Sequence, residues 1–189
     1  MNAPIRPMTV EAYVAWALQQ PRGRFELLRG EIVPMNSEQV GHVRLKVRMV
    51  TALEDAIAAT GLACHALGDG VVVRIDDHTA FEPDALVYCG DMLPDETIVI
   101  PEPVIVVEVL SPSTASIDAG AKFAGYFKVP SIRHYLIVDG PGKELTHHRR
   151  ANDGTIRSQS FTSGAVCLDP PGFELGIAAI FAGRIAKPS

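Results

Sequence analysis

Residues 104–110, VIVVEVL, make a seven-residue run that is apolar except for Glu108. Its length and β-branched content predict a strand buried on both faces. Ser116 and Asp118 then suit the start of a helix reaching about Lys128, and a second apolar run follows in RHYLIVD, residues 133–139. A strand, a helix and a strand at this spacing predict a parallel crossover. Glu108 is the exception inside the first strand. A buried, unpaired carboxylate is costly, so this one demands a partner, a metal or a raised pKa.

The rest of the chain supplies elements to flank that unit. Thr9 is placed to cap a first helix running to about Gln20, closed by Pro21 and Gly23. RFELLRGEIVPM reads as a β-hairpin turning at Arg29-Gly30. From Glu38 to Thr60, the residues Val40, Val43, Val47, Val50, Leu53 and Ile57 recur at helical steps, with Gly61 as the left-handed stop. Arg44, Lys46, Arg48 and Glu54 are assigned to its polar face. A meander of strands follows, broken at Gly68-Asp69-Gly70 and Asp76-Asp77. The tail is expected to add two or three strands and a terminal helix. Its glycine- and proline-marked turns divide it no further.

These elements predict a mixed α/β (α+β) class and one domain over residues 1–189. Within it, residues 1–37 form an N-terminal helix and hairpin extension, and 38–189 form the core. The net charge of −5 over 189 residues excludes a protein that coats nucleic acid by bulk electrostatics, leaving only a local basic groove. Cys64, Cys89 and Cys167 are odd in number and widely spaced, so they read as reduced cytosolic thiols. No segment has the roughly 20 apolar residues of a membrane span or the pattern of a secretory signal. A cytoplasmic protein is the expectation.

Chemistry is expected where a second carboxylate can join Glu108. In FEPDALVY, Pro83 and Asp84 open a strand, and Asp84 alone reads equally well as a polar loop end. If the two strands are neighbours, Asp84 and Glu108 converge, with a backbone carbonyl such as that of Val109 as a third oxygen. Such a cluster suits Mg²⁺ or Mn²⁺. Lys122, one turn into the following helix, is placed to position water or offset charge on a phosphoryl oxygen. The plainer alternative is an ion pair with Asp118. Ser111 in SPST lacks the surroundings of a nucleophilic serine. HHRR, residues 147–150, is the strongest basic cluster and reads first as a solvated strand end.

RFELLRGEIVPM, the following GH, FEPDALVY, PVIVVEVLSPST, the spaced Asp118 and Lys122, YFKVPSIRHYLIVD and DPPGFELGIAAIF occur in that order. Together they resemble the Uma-type restriction-endonuclease family, within the PD-(D/E)XK nuclease-like superfamily, from about residue 24 to 181. The resemblance implies a restriction-endonuclease-like core, a mixed sheet flanked by helices. It implies that Asp84 is the aspartate of the PD pair and Glu108 the acidic residue of the (D/E)XK element. The usual lysine two positions later is Leu110 here, and the resemblance implies that Lys122 takes its place. Glu31 and His42 match the family's N-terminal acidic and histidine positions.

The reading that follows is a Mg²⁺- or Mn²⁺-dependent endonuclease acting on DNA, with catalytic Asp84, Glu108, Lys122, Glu31 and His42. Its metal ligands are Asp84, Glu108 and Val109. A homodimer is expected, since cutting both strands of a duplex calls for two sites. DNA contacts are expected from Arg44, Lys46, Arg48 and the Arg149-Arg150 region. The alternative is a catalytically inactive, dimeric binding or regulatory module on the same scaffold. A metal-free glycosidase built on the carboxylate pair fits less well, because it leaves Lys122 without a role.

Overall fold

The computed structural model describes residues 7–110 and 118–182. Ser111 and Ser116 lie outside them. Helix α1 (Val10–Ala17) starts at Thr9, whose hydroxyl accepts from the Ala12 N–H. Strands β1 (Phe25–Leu28) and β2 (Glu31–Pro34) form the hairpin. Its turn needs positive φ at both central residues, and Arg29 (53°) with Gly30 (82°) provides it. Helix α2 (Val40–Thr60) ends at Gly61, at φ 68°. Strands β3 (Cys64–Gly68), β4 (Val73–Asp76), β5 (Thr79–Phe81) and β6 (Ala85–Cys89) make the meander. Strand β7 (Pro103–Val109), helix α3 (Asp118–Tyr126) and strand β8 (His134–Asp139) form the crossover. The tail contributes four strands, β9 (Glu144–Arg150), β10 (Ile156–Phe161), β11 (Ala165–Leu168) and β12 (Phe173–Gly176), and helix α4 (Ile177–Phe181).

The main sheet has the order β10-β9-β8-β7-β6-β3, and β7–β8 is its parallel pair. A second sheet, β2-β1-β5-β4, joins the hairpin to the meander. Side chains alternate across β7. Ile105, Val107 and Val109 enter a core shared with Leu45, Met49 and Leu53 of α2, whereas Val106 enters a second core with Tyr126, Ile132 and Tyr135. Glu108 shares the parity of Val106 and so faces α3. The fold is therefore a mixed α+β architecture, a mixed sheet flanked by helices.

Three local expectations are corrected. On α2, Val40, Val43 and Val47 are exposed (66%, 45% and 61%), while Leu45, Lys46, Met49, Ala52, Leu53 and Ile57 are buried. The helix carries two apolar stripes, and the one with the longer Leu and Met side chains removes more area from water. Cys64 and Cys89 are joined in a disulfide, because β3 and β6 are antiparallel neighbours that place these residues opposite each other, Cα to Cα 3.9 Å. Their separation of 25 residues concealed this; Cys167 remains a free, exposed thiol. HHRR is not a solvated strand end. His147 is buried, its Nε2 2.8 Å from Nδ1 of buried His134. Arg150 donates to the carbonyls of Phe127, Val129 and Ile132, bracing the turn after α3.

Candidate active site

The strand register builds the site. β6 runs antiparallel to β7 with Ala85 opposite Val107, and the Asp84 N–H donates to the Val107 carbonyl at 3.0 Å. Asp84 and Glu108 are thus brought together at the end of β7 from which the parallel crossover leaves, the edge where open α/β sheets bind ligands. Asp84 accepts the Val109 N–H on Oδ2 at 2.6 Å, so the contact from Val109 is its amide. The other oxygen, Oδ1, meets the Lys46 Nζ at 2.6 Å.

Glu108 is held from α3. Lys122 Nζ stands 2.9 Å from Glu108 Oε1, and the Tyr126 hydroxyl donates to the same oxygen at 2.6 Å. Lys122 and Tyr126 lie four residues apart, on one face of the helix. A second carboxylate, Glu26 of β1, meets Lys122 Nζ at 3.0 Å and also accepts the Glu82 N–H at 3.0 Å. Among the described residues, these two carboxylates engage two of the ammonium's three protons.

Burial pushes the Glu108 carboxyl up to about 7; Lys122 opposes this, and the carboxylates of Asp84 and Glu26 reinforce it. For Lys122, burial works against the charged form, but Glu108 and Glu26 outweigh it and raise its proton affinity. Burial raises the Tyr126 hydroxyl well above its ordinary value, with Glu108 adding to the effect, so it stays a donor.

On the other side of Asp84, Lys46 also pairs with Glu38 and, at 3.1 Å, with Asp69. Arg24 links Glu38, Asp69 and Glu82 at 3.2, 2.8 and 2.7 Å. Burial disfavours charge on Lys46, but the neighbouring carboxylates, Asp84 foremost, more than offset it and raise its pKa. Near Asp84, His42 Nε2 lies 4.0 Å from Asp84 Oδ2 and 3.9 Å from Glu38 Oε2.

Of the residues expected at the site, the fold gathers Asp84, Glu108, Lys122 and His42. Glu31 is exposed on β2, and among the described residues no hydrogen bond or ion pair joins it to the cluster. Glu26, on the hairpin's inner strand, takes that place. Lys46, expected on a polar face, is 95% buried inside the cluster, which removes it from any phosphate-contacting surface.

Glu26, Glu38 and Tyr126 escaped the sequence reading, and Lys46 was assigned to a solvent-facing DNA contact instead of the site. The i, i+4 spacing of Glu38 with His42 and of Lys122 with Tyr126 was a usable signal. Nothing local marked Lys46. The donor set fits a divalent cation: six carboxylates (Glu26, Glu38, Asp69, Glu82, Asp84, Glu108) gather around three cations (Arg24, Lys46, Lys122), an excess of negative charge in a largely buried site.

Known proteins resemble this chain along most of its length. The Uma2 family model, described as "Putative restriction endonuclease", matches residues 10–182. A Synechocystis protein described as uncharacterized, slr1290, is 30% identical over 154 residues, 81% of this chain and 80% of its own. A second uncharacterized Synechocystis protein, sll1609, is 24% identical over 137 residues, 71% of this chain and 77% of its own. The crystal structure of "a putative nuclease belonging to DUF820" from Anabaena variabilis shares the fold, with a TM-score of 0.74 and 17% identity over 93% of this chain and 98% of that one. No described helix is long and apolar enough to cross a membrane. Because the family model covers most of its length, the chain belongs to the Uma2 family of restriction-endonuclease-like proteins.

Proposed function

We propose that this chain is a Mg²⁺- or Mn²⁺-dependent endonuclease that hydrolyses phosphodiester bonds of DNA. The observation that carries the reading is the meeting of Asp84, Glu108 and Lys122 at one sheet edge, with Lys122 within 2.9 Å of Glu108. Asp84 and Glu108 would hold the metal, which when bound supplies an activated water and offsets charge on the phosphate. The Val109 N–H fixes the Asp84 carboxylate. Tyr126 and Lys122 fix Glu108 through its Oε1. Glu26 anchors Lys122, whose remaining proton is directed at a phosphoryl oxygen. Leu110 therefore needs no lysine, because α3 delivers an ammonium to the same carboxylate from the next element. We place the enzyme in the cytoplasm as a homodimer, with Arg44, Arg48 and Arg149 as backbone contacts.

A second reading, a nuclease-like binding module without activity, is favoured by one observation: both oxygens of Asp84 are already engaged, by Lys46 and by the Val109 amide. Calorimetric titration with Mn²⁺ and cleavage of plasmid and single-stranded DNA, for the wild type and Glu108→Ala, separates the two. The nuclease reading expects binding and cleavage in the wild type and neither in Glu108→Ala. DNA bound but never cut, at any Mg²⁺ or Mn²⁺ level, would establish the binding module.

A further inference from the structure

We propose that the free edge of β3 is a docking groove for an extended segment of a partner protein, which joins the main sheet as its seventh strand. The segment is apolar in its middle and carries a Lys or Arg at each end. β3 is a terminal strand of the six-stranded sheet, and among the described residues no strand pairs with its outer side. The Gly90 N–H donates to the Ala63 carbonyl at 2.8 Å, which makes Cys64 and Cys89 a non-hydrogen-bonded pair. The backbone groups of His65 and Leu67 therefore turn toward β6, and those of Ala66 and Gly68 turn outward. Sheet edges are usually blunted by charge, proline or a bulge. β3 reads CHALG and pairs with β6 without a register shift, so it carries none of these.

This edge lies in a groove of about 600 Å³, within the roughly 300–1,000 Å³ of ordinary ligand clefts. Ile57, Ala58 and Leu62 line its α2 side, and Leu93 and Ile100, from the connection between β6 and β7, line the other. The second wall is preformed, which lowers the cost of ordering it around a ligand. The Leu93 N–H donates to the Tyr88 hydroxyl at 3.3 Å, the Val72 N–H to the Ile98 carbonyl at 2.8 Å, and the Ile100 N–H to the Val72 carbonyl at 2.9 Å. A strand added to β3 sends alternate side chains to the two sides, so its central residues meet apolar surface both ways.

Charge selects the ends of the segment. The acidic residues of the lining are Glu54 on the α2 side and Asp95 on the other, both exposed, and among the described residues no Lys or Arg lines the groove. A cationic side chain at each end of the added strand answers them. Pairing of β3 with β3 of a second copy would instead add two more carboxylates and no cation, a juxtaposition that opposes association. The groove lies on the sheet edge, with β6 between it and β7, and does not depend on the nuclease reading.

The test is NMR of the isotope-labelled full chain, disulfide intact, titrated with the acetylated and amidated peptide Lys-Val-Ile-Val-Val-Lys. The expected result is fast amide exchange at Ala66 and Gly68 in the free chain, then saturable shifts and slowed exchange at both as the peptide binds. N-methylation of the peptide along the edge that meets β3 should weaken binding at least about tenfold, through loss of backbone hydrogen bonds. Glu54→Lys combined with Asp95→Lys should weaken it about fivefold at low salt and improve binding of the same peptide ended with Glu. Circular dichroism melts establish that the double variant is folded, and the peptide series needs no variant. Slow exchange at Ala66 and Gly68 in the free chain overturns the proposal: protection that fades on dilution assigns the edge to a second copy, and protection that persists assigns it to the chain itself. Absence of saturable shifts at these amides up to the solubility of the peptide overturns it too, as does equal affinity for the Lys-ended and Glu-ended peptides. None of these outcomes bears on the nuclease reading.

Discussion

Glu108→Gln should make the metal-free protein more stable at pH 8. Burial lifts the Glu108 carboxyl from an ordinary value of 4.5 to about 7. Each pH unit of that difference is worth about 1.4 kcal/mol, so ionising Glu108 costs the fold about 3 kcal/mol. The native state keeps a proton that the unfolded chain has released between pH 4.5 and 7, so stability declines as pH rises through that window and is lowest above it. Glutamine resembles the protonated acid and can still accept from Lys122 and Tyr126, while Lys122 keeps Glu26. At roughly 2–4 °C per kcal/mol for a chain of this size, the variant should melt about 6–12 °C higher at pH 8, with the gap closing toward pH 4.5. Thermal melts followed by circular dichroism across that pH range, in the presence of chelator, read this directly. A glutamine variant no more stable than wild type at pH 8 would mean that Lys122 outweighs burial. The carboxylate would then be a structural ion-pair partner with no stored cost for a metal to relieve.

Lys122→Met should leave Glu26 and Glu108 facing each other without their shared cation, destabilising the fold by about 3–5 kcal/mol at pH 8, as seen by chemical denaturation. The His134–His147 pair predicts acid sensitivity. Burial first, then neighbouring charge, depresses His134 to about 3 and His147 to about 4, so stability is full above pH 6.5 and falls as pH drops toward 4. The loss per histidine is up to about 1.4 kcal/mol per pH unit, and urea titrations at pH 7, 6 and 5 measure it. On α2, Val43→Ser and Val47→Ser should change the stability of the chain by no more than about 0.5 kcal/mol, whereas Leu53→Ala should cost about 2–5 kcal/mol. Equal losses at all three positions would contradict the burial described for that helix.

Local order was largely legible in the amino-acid chain. The Arg29-Gly30 hairpin, the Gly61 helix stop and the β7–α3–β8 crossover follow from turn chemistry and apolar period, which act over a few neighbouring residues. The direction in which α2 faces was not legible. Its valine stripe and its Leu-Met stripe both obey helical spacing, and only the sheet beneath decides which is covered. The Cys64–Cys89 bond was hidden for the same reason, since strand adjacency is a property of the sheet.

The candidate site divides along this line. Sequence alone determined that Glu108 needed a partner, because a carboxylate in an apolar strand is costly anywhere; it offered Asp84 only on the condition that the two strands are neighbours, and Lys122 beside the plainer pairing with Asp118. Tertiary structure alone brought in Glu26 from the hairpin, Lys46 and Glu38 from α2 or its approach, and Asp69 from a turn, and left Glu31 in solvent. Those residues come from elements far apart in the chain. Their ion pairs depend on distances that packing sets, whereas the demand created by a buried charge can be read from its immediate neighbours.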